Sequence, residues 1–154
     1  MILLNEFVLK GNPSTATAQQ KQYKNINGHV IVYEKENVKK AKNDLYWQIY
    51  SYAPDKPYEQ KLCVRMMWLM DKQSLTKKEN MTFNPKRPDL DNLAKGTLDV
   101  FQKAGFFQDD SQICKLELQK GWYKEFTGLF IQIWEMNDDS DFQTFVLDWR
   151  NRVT

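Results

Sequence analysis

The chain is poor in the residues that build soft-metal centres. It has two cysteines and one histidine, His29, in 154 residues, whereas a structural zinc site takes four ligands, mostly of these two kinds. This composition excludes a zinc finger, so a general base or a metal site must rest on carboxylates or lysines. Cys63 and Cys114 each lie inside an apolar, strand-like segment, which predicts two buried free thiols.

Signals for membranes, export and nucleotides are absent as well. No apolar run approaches the ~18 residues that span a bilayer, and the acidic Glu6 interrupts the apolar start where a signal peptide would continue. We therefore expect a cytoplasmic protein with no membrane partner. The sequence has neither a Walker A loop nor a G-x-G-x-x-G motif, which argues against a nucleotide cofactor.

The charges are unevenly distributed along the chain. Residues 135–154 carry five acids and two bases, which leaves residues 1–134 with 20 bases, 15 acids and a net charge of +5. A basic body mildly favours an anionic partner. We expect one domain over 1–134, followed by an acidic tail over 135–154. The tail is predicted to form a short helix, either docked on the body or at a dimer contact, because apolar residues recur at helical spacing: Phe142, Phe145, Val146 and Trp149.

Apolar periodicity predicts a small single α+β domain with helices against one sheet. The expected strands are Ile2–Leu9, His29–Tyr33, Leu62–Met70, Ile113–Tyr123 and Leu129–Trp134, and the expected helices are Glu34–Tyr52 and Leu90–Lys103. The third of these strands is apolar nearly throughout, which favours a central position. Polar segments at 11–21 and 71–88 are predicted to be loops. Four tryptophans are expected to pack in the core, with one exposed aromatic wedge as the alternative: Trp47, Trp68, Trp122 and Trp134.

The chemistry is concentrated in residues 86–110. Asp89 and Asp91 flank one leucine at a loop-to-helix junction, and neither belongs to the apolar stripe of the helix. Asp91 and Lys95 are one helical turn apart, so they share a face. Asp109 and Asp110 follow after the helix. Whether Asp110 returns to the side of the first pair depends on the fold.

Three converging carboxylates would repel each other unless a cation neutralised them. A site of oxygen ligands suits Mg²⁺ or Mn²⁺, and such ions typically activate water for hydrolysis of phosphodiesters. Lys95 would offset charge in the transition state. Each piece also has an ordinary alternative: Asp89 as a helix cap, Asp91 with Lys95 as a surface ion pair, and Asp109-Asp110-Ser111 as an Asx-turn.

The pattern of Arg87, Pro88, Asp89, Leu90, Asp91, Asn92 and Lys95, followed by a helix, Gly105 and Asp109-Asp110-Ser111, resembles the signature of the RusA family of Holliday junction resolvases. The segment 17–21 is similar to the N-terminal loop of phage-type members. The resemblance implies a mixed β-sheet with helices packed on it, and a homodimer. It also implies that Asp89, Asp91 and Asp110 hold Mg²⁺, with Mn²⁺ able to substitute, and that Lys95 assists catalysis. Asn92 and Asp109 match motif positions and are expected to play supporting roles.

The implied activity is the resolution of four-way DNA junctions by paired hydrolysis of phosphodiesters, in recombination and repair. A nuclease of the same fold that prefers flaps or forks, and a junction-binding protein without activity, remain as alternatives. Basic residues near the motif are expected to hold DNA backbones. These are Lys72, Lys77, Lys78, Lys86, Arg87, Lys115 and Lys120.

Overall fold

The computed structural model describes residues 1–11, 13–14, 16 and 21–153. Its strands are β1 (Ile2–Lys10), β2 (Lys21–Ile26), β3 (His29–Glu34), β4 (Leu62–Met70), β5 (Thr82–Phe83), β6 (Ile113–Trp122) and β7 (Gly128–Glu135). Its helices are α1 (Glu36–Tyr50), α2 (Leu90–Lys103) and α3 (Ser140–Val153), with a 3₁₀ turn over Asp110–Gln112. Within these residues, no helix is long and apolar enough to cross a membrane.

Five of the strands form one mixed sheet in the order β1-β7-β4-β6-β5. β4 is central, antiparallel to β7 and parallel to β6, which confirms the position expected from its apolar sequence. The parallel pairing requires a long crossover between β4 and β6, and α2 lies within that crossover. The predicted α+β class and mixed sheet are therefore confirmed.

The core lies between the sheet and the helices α1 and α2. Alternate residues of β4 pack into it, together with Phe7 of β1 and Phe101 of α2. Phe101 stacks on Phe106 with ring centroids 4.8 Å apart, just after α2 ends. Gly105 has a φ of +87° there, a conformation that glycine adopts at little cost. Burial of this apolar stripe fixes α2 against the sheet.

Two of the expected core residues lie at the surface. Cys63 is buried but Cys114 is exposed, because β5 pairs only with the far end of β6 and leaves its first residues at an open edge. Trp68 and Trp122 are buried, whereas the side chain of Trp47 is 65% exposed. Trp47 lies on the face of α1 opposite Val38 and Ile49, the buried residues of that helix. Both predictions of burial were therefore wrong.

Sequence reasoning found only half of a β-hairpin. β2 pairs with β3 in antiparallel fashion as a separate two-stranded sheet, and only the second strand was predicted. Asn27 and Gly28 join the strands with positive φ angles of 51° and 82°, as Asn-Gly hairpin turns require. The segment 17–21 that resembles phage-type members lies outside the described residues, apart from the backbone of Lys21.

The acidic tail does form a helix, but it does not dock as expected. No residue of α3 is buried. The described contacts that attach its start to the body are an ion pair between Lys61 and Asp139, 2.7 Å long, and a hydrogen bond from the Met136 N–H to the Lys61 carbonyl. Docking of the tail on the body, the first of the two alternatives, is therefore not observed among the described residues, and a dimer contact stays a prediction.

The close pairing of β1 with β7 leaves no room for a side chain at Gly128, and this constraint can be tested. A Cβ atom added at Gly128 would collide with the backbone carbonyl of Leu9, whereas one added at Gly96 in α2 would meet open space. We expect Gly128→Ala to lower the free energy of unfolding by about 1–3 kcal/mol. Gly96→Ala should raise it by about 0.5–1 kcal/mol, because alanine favours the helix. Urea unfolding measures both, and an equal loss in the two variants would contradict this account.

Candidate active site

Asp89 and Asp91 stand at the start of α2 with their carboxylates exposed. Asp89 occupies the N-cap position with extended backbone, and its carbonyl accepts a hydrogen bond from the N–H of Leu93 at 3.1 Å. Its side chain makes no capping hydrogen bond. In the described part of the chain, Asp91 forms no ion pair with Lys95 or any other residue. Asp89 therefore holds the predicted N-cap position without a capping hydrogen bond from its side chain. The surface ion pair, the alternative for Asp91, is not observed among the described residues.

A set of hydrogen bonds to the segment that precedes Asp89 fixes the position of this pair. The Lys120 ammonium of β6 donates hydrogen bonds to the backbone carbonyls of Lys86 and Pro88, the latter at 2.6 Å. Asn84 is 2% exposed, and its side chain accepts a hydrogen bond from the Lys86 N–H at 2.7 Å. The N–H of Asn84 in turn donates to the Lys120 carbonyl at 3.0 Å. Asn84 and Lys120 thus hold the residues just before Asp89 against the end of β6. No spacing in the sequence predicted this role for either residue.

The two later aspartates have different environments. Asp109 caps the 3₁₀ turn and accepts a hydrogen bond from the Ser111 N–H at 2.8 Å. Hydrogen bonds from Ser111 hold the pKa of Asp109 below its usual value. Asp110 is exposed and has no side-chain partner among the described residues. The Asx-turn interpretation therefore describes Asp109, while Asp110 stays open to a ligand.

The fold separates Asp110 from the first pair within one chain. Gln102, near the end of α2, donates to the carbonyl of Gln108 at 3.0 Å, so residues 108–110 lie at the C-terminal end of that helix. Asp89 and Asp91 lie at its N-terminal end, about 18 Å away at 1.5 Å per residue. The register of β6 gives a similar distance, since Ile113 and Lys120 are seven strand residues or about 23 Å apart. Asp110 thus cannot share an ion with Asp89 and Asp91 of the same chain.

The described residues of one copy contain no complete metal centre. Across residues 1–11, 13–14, 16 and 21–153, no group of three or more His, Cys, Asp or Glu side chains is placed to hold a metal ion. Two exposed carboxylates one residue apart still supply oxygen ligands of the kind that Mg²⁺ prefers. The positive end of the α2 macrodipole favours these anions but does not neutralise them. Within the described residues, one copy of the chain therefore presents an incomplete set of ligands for a hard cation.

Comparison with known proteins identifies the chain. A family model described as Endodeoxyribonuclease RusA matches residues 12–134, most of the chain. The protein belongs to the RusA family. A curated relative, the crossover junction endodeoxyribonuclease rusA of Lactococcus phage r1t, is 29% identical over 115 residues, which cover 75% of this chain and 86% of the relative. The resemblance read from residues 86–120 is thereby confirmed, and the fold positions that motif at the two ends of α2.

The basic residues near the RusA motif fall into two groups. Three of them are engaged within the chain: Lys72 with Glu79 at 2.6 Å, Lys115 with Glu117 at 3.1 Å, and Lys120 with the carbonyls before Asp89. The hydrogen bond from Lys72, with others from Thr76, lowers the pKa of Glu79 to about 2. The side chains of the others are exposed and form no hydrogen bond or ion pair within the described residues. They are Lys77, Lys78, Lys86 and Arg87, and Lys95 on α2 shares this property.

Asn92 is the motif residue whose side chain faces inward. It is 8% exposed and lines a cleft between α1 and α2 that Gly96 and Lys42 also border. Lys42 of α1 connects three elements at this cleft, because it forms ion pairs with Glu34 of β3 at 2.6 Å and with Asp99 of α2 at 3.3 Å. Asn92 thus lies in the cleft directly beside Asp91. Its supporting role in the site stays a prediction.

The Lys120 contacts can be tested by removing the ammonium group. Lys120→Met should lower the free energy of unfolding by about 1–3 kcal/mol, because two backbone carbonyls lose a charged donor. Cleavage by trypsin after Lys86 should also become faster. The matched control is Lys115→Met, which removes a surface ion pair worth at most ~1 kcal/mol and should leave that cleavage unchanged. Equal effects of the two substitutions on proteolysis would show that Lys120 does not fix this segment.

Proposed function

We propose that this RusA-family protein is a Mg²⁺-dependent endonuclease that resolves four-way DNA junctions, in recombination and repair in the cytoplasm. The observation that carries the proposal is the pair Asp89 and Asp91. Both carboxylates are exposed and form no ion pair among the described residues, and hydrogen bonds from Lys120 hold the preceding segment in place. Unpaired basic side chains lie in the same segment. A binding protein would gain nothing from unpaired carboxylates facing phosphates, because like charges repel. The crossover junction named for the phage relative supports the choice of substrate.

The chemistry follows from the ligands that the chain offers. Asp89 and Asp91 would hold Mg²⁺, or Mn²⁺ in its place, and the ion would activate water and stabilise the leaving oxygen of the phosphodiester. Lys95 lies one turn beyond Asp91 on the same exposed face. Its ammonium would approach the scissile phosphate and offset the charge that develops there. The contacts of Lys120 keep the two carboxylates in place while the substrate binds.

We further propose that the site is completed between two copies of the chain. Asp110 lies about 18 Å from the first pair within one copy, yet its carboxylate is exposed and unpartnered among the described residues. In a two-fold dimer, Asp110 of one copy would reach Asp89 and Asp91 of the other, which gives two equivalent sites. A symmetric dimer also matches the paired cuts that a two-fold symmetric junction requires.

The exposed basic residues would hold the DNA arms. Lys77, Lys78, Lys86 and Arg87 lie in the segment that leads into Asp89 and have no intramolecular competitor for phosphate among the described residues. Contacts of lysine and arginine with phosphates depend on the shape of the backbone and carry no sequence information. Recognition by these residues would therefore weaken steeply as the salt concentration rises.

The proposal is tested by cleavage of a labelled four-way junction in Mg²⁺, beside a flap and a linear duplex. The purified protein should cut the junction symmetrically. Asp91→Asn should slow cleavage by at least about 100-fold while it still binds the junction, because it removes a ligand charge but little surface. Asp44→Asn, at an exposed aspartate of α1, should cut normally. Binding without cutting would favour the junction-binding alternative, and equal cutting of the flap would favour the flap nuclease.

The shared site is tested by mixing two inactive variants. Asp91→Asn and Asp110→Asn should each be inactive alone. A heterodimer of the two would contain one site with every aspartate intact, so the mixture should nick one strand of each junction. Nicking by the exchanged mixture requires ligands from both copies. A mixture that stays inactive, although subunit exchange is demonstrated with differently tagged chains, would show that each site is built within one copy.

A further inference from the structure

The cleft between α1 and α2 contains a buried amide to which the proposed chemistry gives no role. Asn92 is 8% exposed, and among the described residues its side chain forms no hydrogen bond or ion pair. In this part of the chain, the fully enclosed side-chain atoms that lack a partner do not include those of Asn92. Its amide therefore faces the open space of the cleft that it lines. A buried polar group without a partner is destabilising, and a ligand with matching groups would remove that cost.

Gly96 keeps the same cleft open. It lies one helical turn after Asn92 on the same face of α2, and a Cβ atom added there would meet nothing within 4 Å. Glycine inside a helix is destabilising relative to alanine, and no close contact requires it at this position. The cleft has a volume of about 500 Å³, within the ~300–1,000 Å³ of small-molecule sites. The missing side chain thus leaves room for a ligand beside the amide.

The lining of the cleft favours a flat ligand without charge. Apolar side chains supply part of its surface, among them Leu45, Trp68 and Leu93. The charged lining residues are exposed except for Lys42, whose ammonium group is already paired with Glu34 and Asp99. An asparagine amide offers a donor and an acceptor in one plane, and the edge of a nucleobase is a partner of matching geometry. The cleft therefore suits a nucleobase better than a phosphate.

We propose that this cleft receives one unstacked nucleobase of the strand that is cut, and that Asn92 recognises its edge. Asn92 directly follows Asp91, and consecutive Cα atoms lie about 3.8 Å apart. A phosphate held through Asp91 and a base held by Asn92 can therefore belong to the same nucleotide or to neighbouring ones. Extrusion of a base costs least where pairing is already disturbed, as at the branch point of a junction. This inference rests on the proposed nuclease activity and adds a preference for certain bases near the cut.

The position of the base can be tested by binding, without cleavage. 4-Thiothymidine would be placed in turn at each nucleotide around the branch point, and the complex with the full-length protein would be irradiated with Ca²⁺, another ion that binds oxygen ligands, in place of Mg²⁺. At one position the base should cross-link to a residue of the cleft, located by mass spectrometry. Gly96→Leu, which fills the cleft and keeps Asn92, should lower this cross-link at least ten-fold. Gly96→Ala, the matched control, should leave it unchanged.

The failures of the two proposals are distinguishable in this experiment. A protein that does not bind the junction at all would contradict the nuclease proposal and this inference together. Binding with cross-links only outside the cleft would overturn this inference alone. Equal cross-linking by Gly96→Leu and Gly96→Ala would overturn it as well.

Cleavage rates test what the amide recognises. The wild-type protein should cut junctions that differ only in the base at the cross-linked position at rates at least about five-fold apart. Asn92→Leu should make these rates nearly equal. The same substitution should also raise the urea midpoint of unfolding, because an apolar group replaces an unpartnered buried amide. A purely structural Asn92 predicts the opposite result, with lower stability, equally slower cutting of every junction and an unchanged base preference, and that result would overturn its assignment.

Discussion

The hydrogen bonds from Lys120 to the carbonyls of Lys86 and Pro88 set the geometry of the whole site. They fix the start of α2 against the end of β6. Because the chain then runs back along α2 and enters β6 from its other end, Asp89 and Asp110 must lie at opposite ends of the same layer. The parallel pairing of β4 with β6 requires this crossover. The separation of the acidic residues is thus a consequence of topology, and no choice of rotamer could close a gap of about 18 Å.

The exposed pair at the start of α2 departs from the locally most stable arrangement. Serine, threonine or aspartate at an N-cap ordinarily satisfies a free N–H of the first turn, but the Asp89 carboxylate forgoes this bond. Asp109 behaves differently, since it caps its turn and has a lowered pKa for that reason. The four aspartates of the motif therefore differ. Asp109 stabilises a turn, while the carboxylates of Asp89, Asp91 and Asp110 have no partner among the described residues. Such local departures from the stable arrangement are typical of functional sites.

Much of this fold follows from periodicity, because burial of a continuous stripe is a local property of the sequence. The predicted bounds of α2 and β4 agree with the structure, and the central position of β4 follows from residues that are apolar on both faces. The exposure of Cys114 was missed because it depends on how far β5 extends along its neighbour, a non-local fact. β2 was missed because its residues are mostly polar, although Asn27-Gly28 is the usual sign of a hairpin turn.

The candidate site was predictable in its residue types and only partly in its arrangement. Asp89, Asp91 and Lys95 fall at one junction, so their proximity follows from helical geometry alone. The position of Asp110 depends on the direction in which β6 leaves α2, which spacing in the sequence does not encode. The same limit applies to Lys120, because its partners are backbone carbonyls about 32 residues away in the chain.

Two features of one copy are incomplete, and they differ in physical kind. The acidic set of the proposed site lacks a ligand in one copy, and completing it from a second copy would demand one defined arrangement of two rigid bodies. The stripe of exposed apolar residues on α3, from Phe142 to Trp149, lacks only apolar contact, and its base is attached to the body mainly by the exposed Lys61–Asp139 pair, which is weak at a solvent-exposed surface. Burial of apolar area is not directional, so surfaces of many shapes could cover the stripe. The acidic residues differ in this respect, because ligands of one ion must be placed to within a few tenths of an ångström.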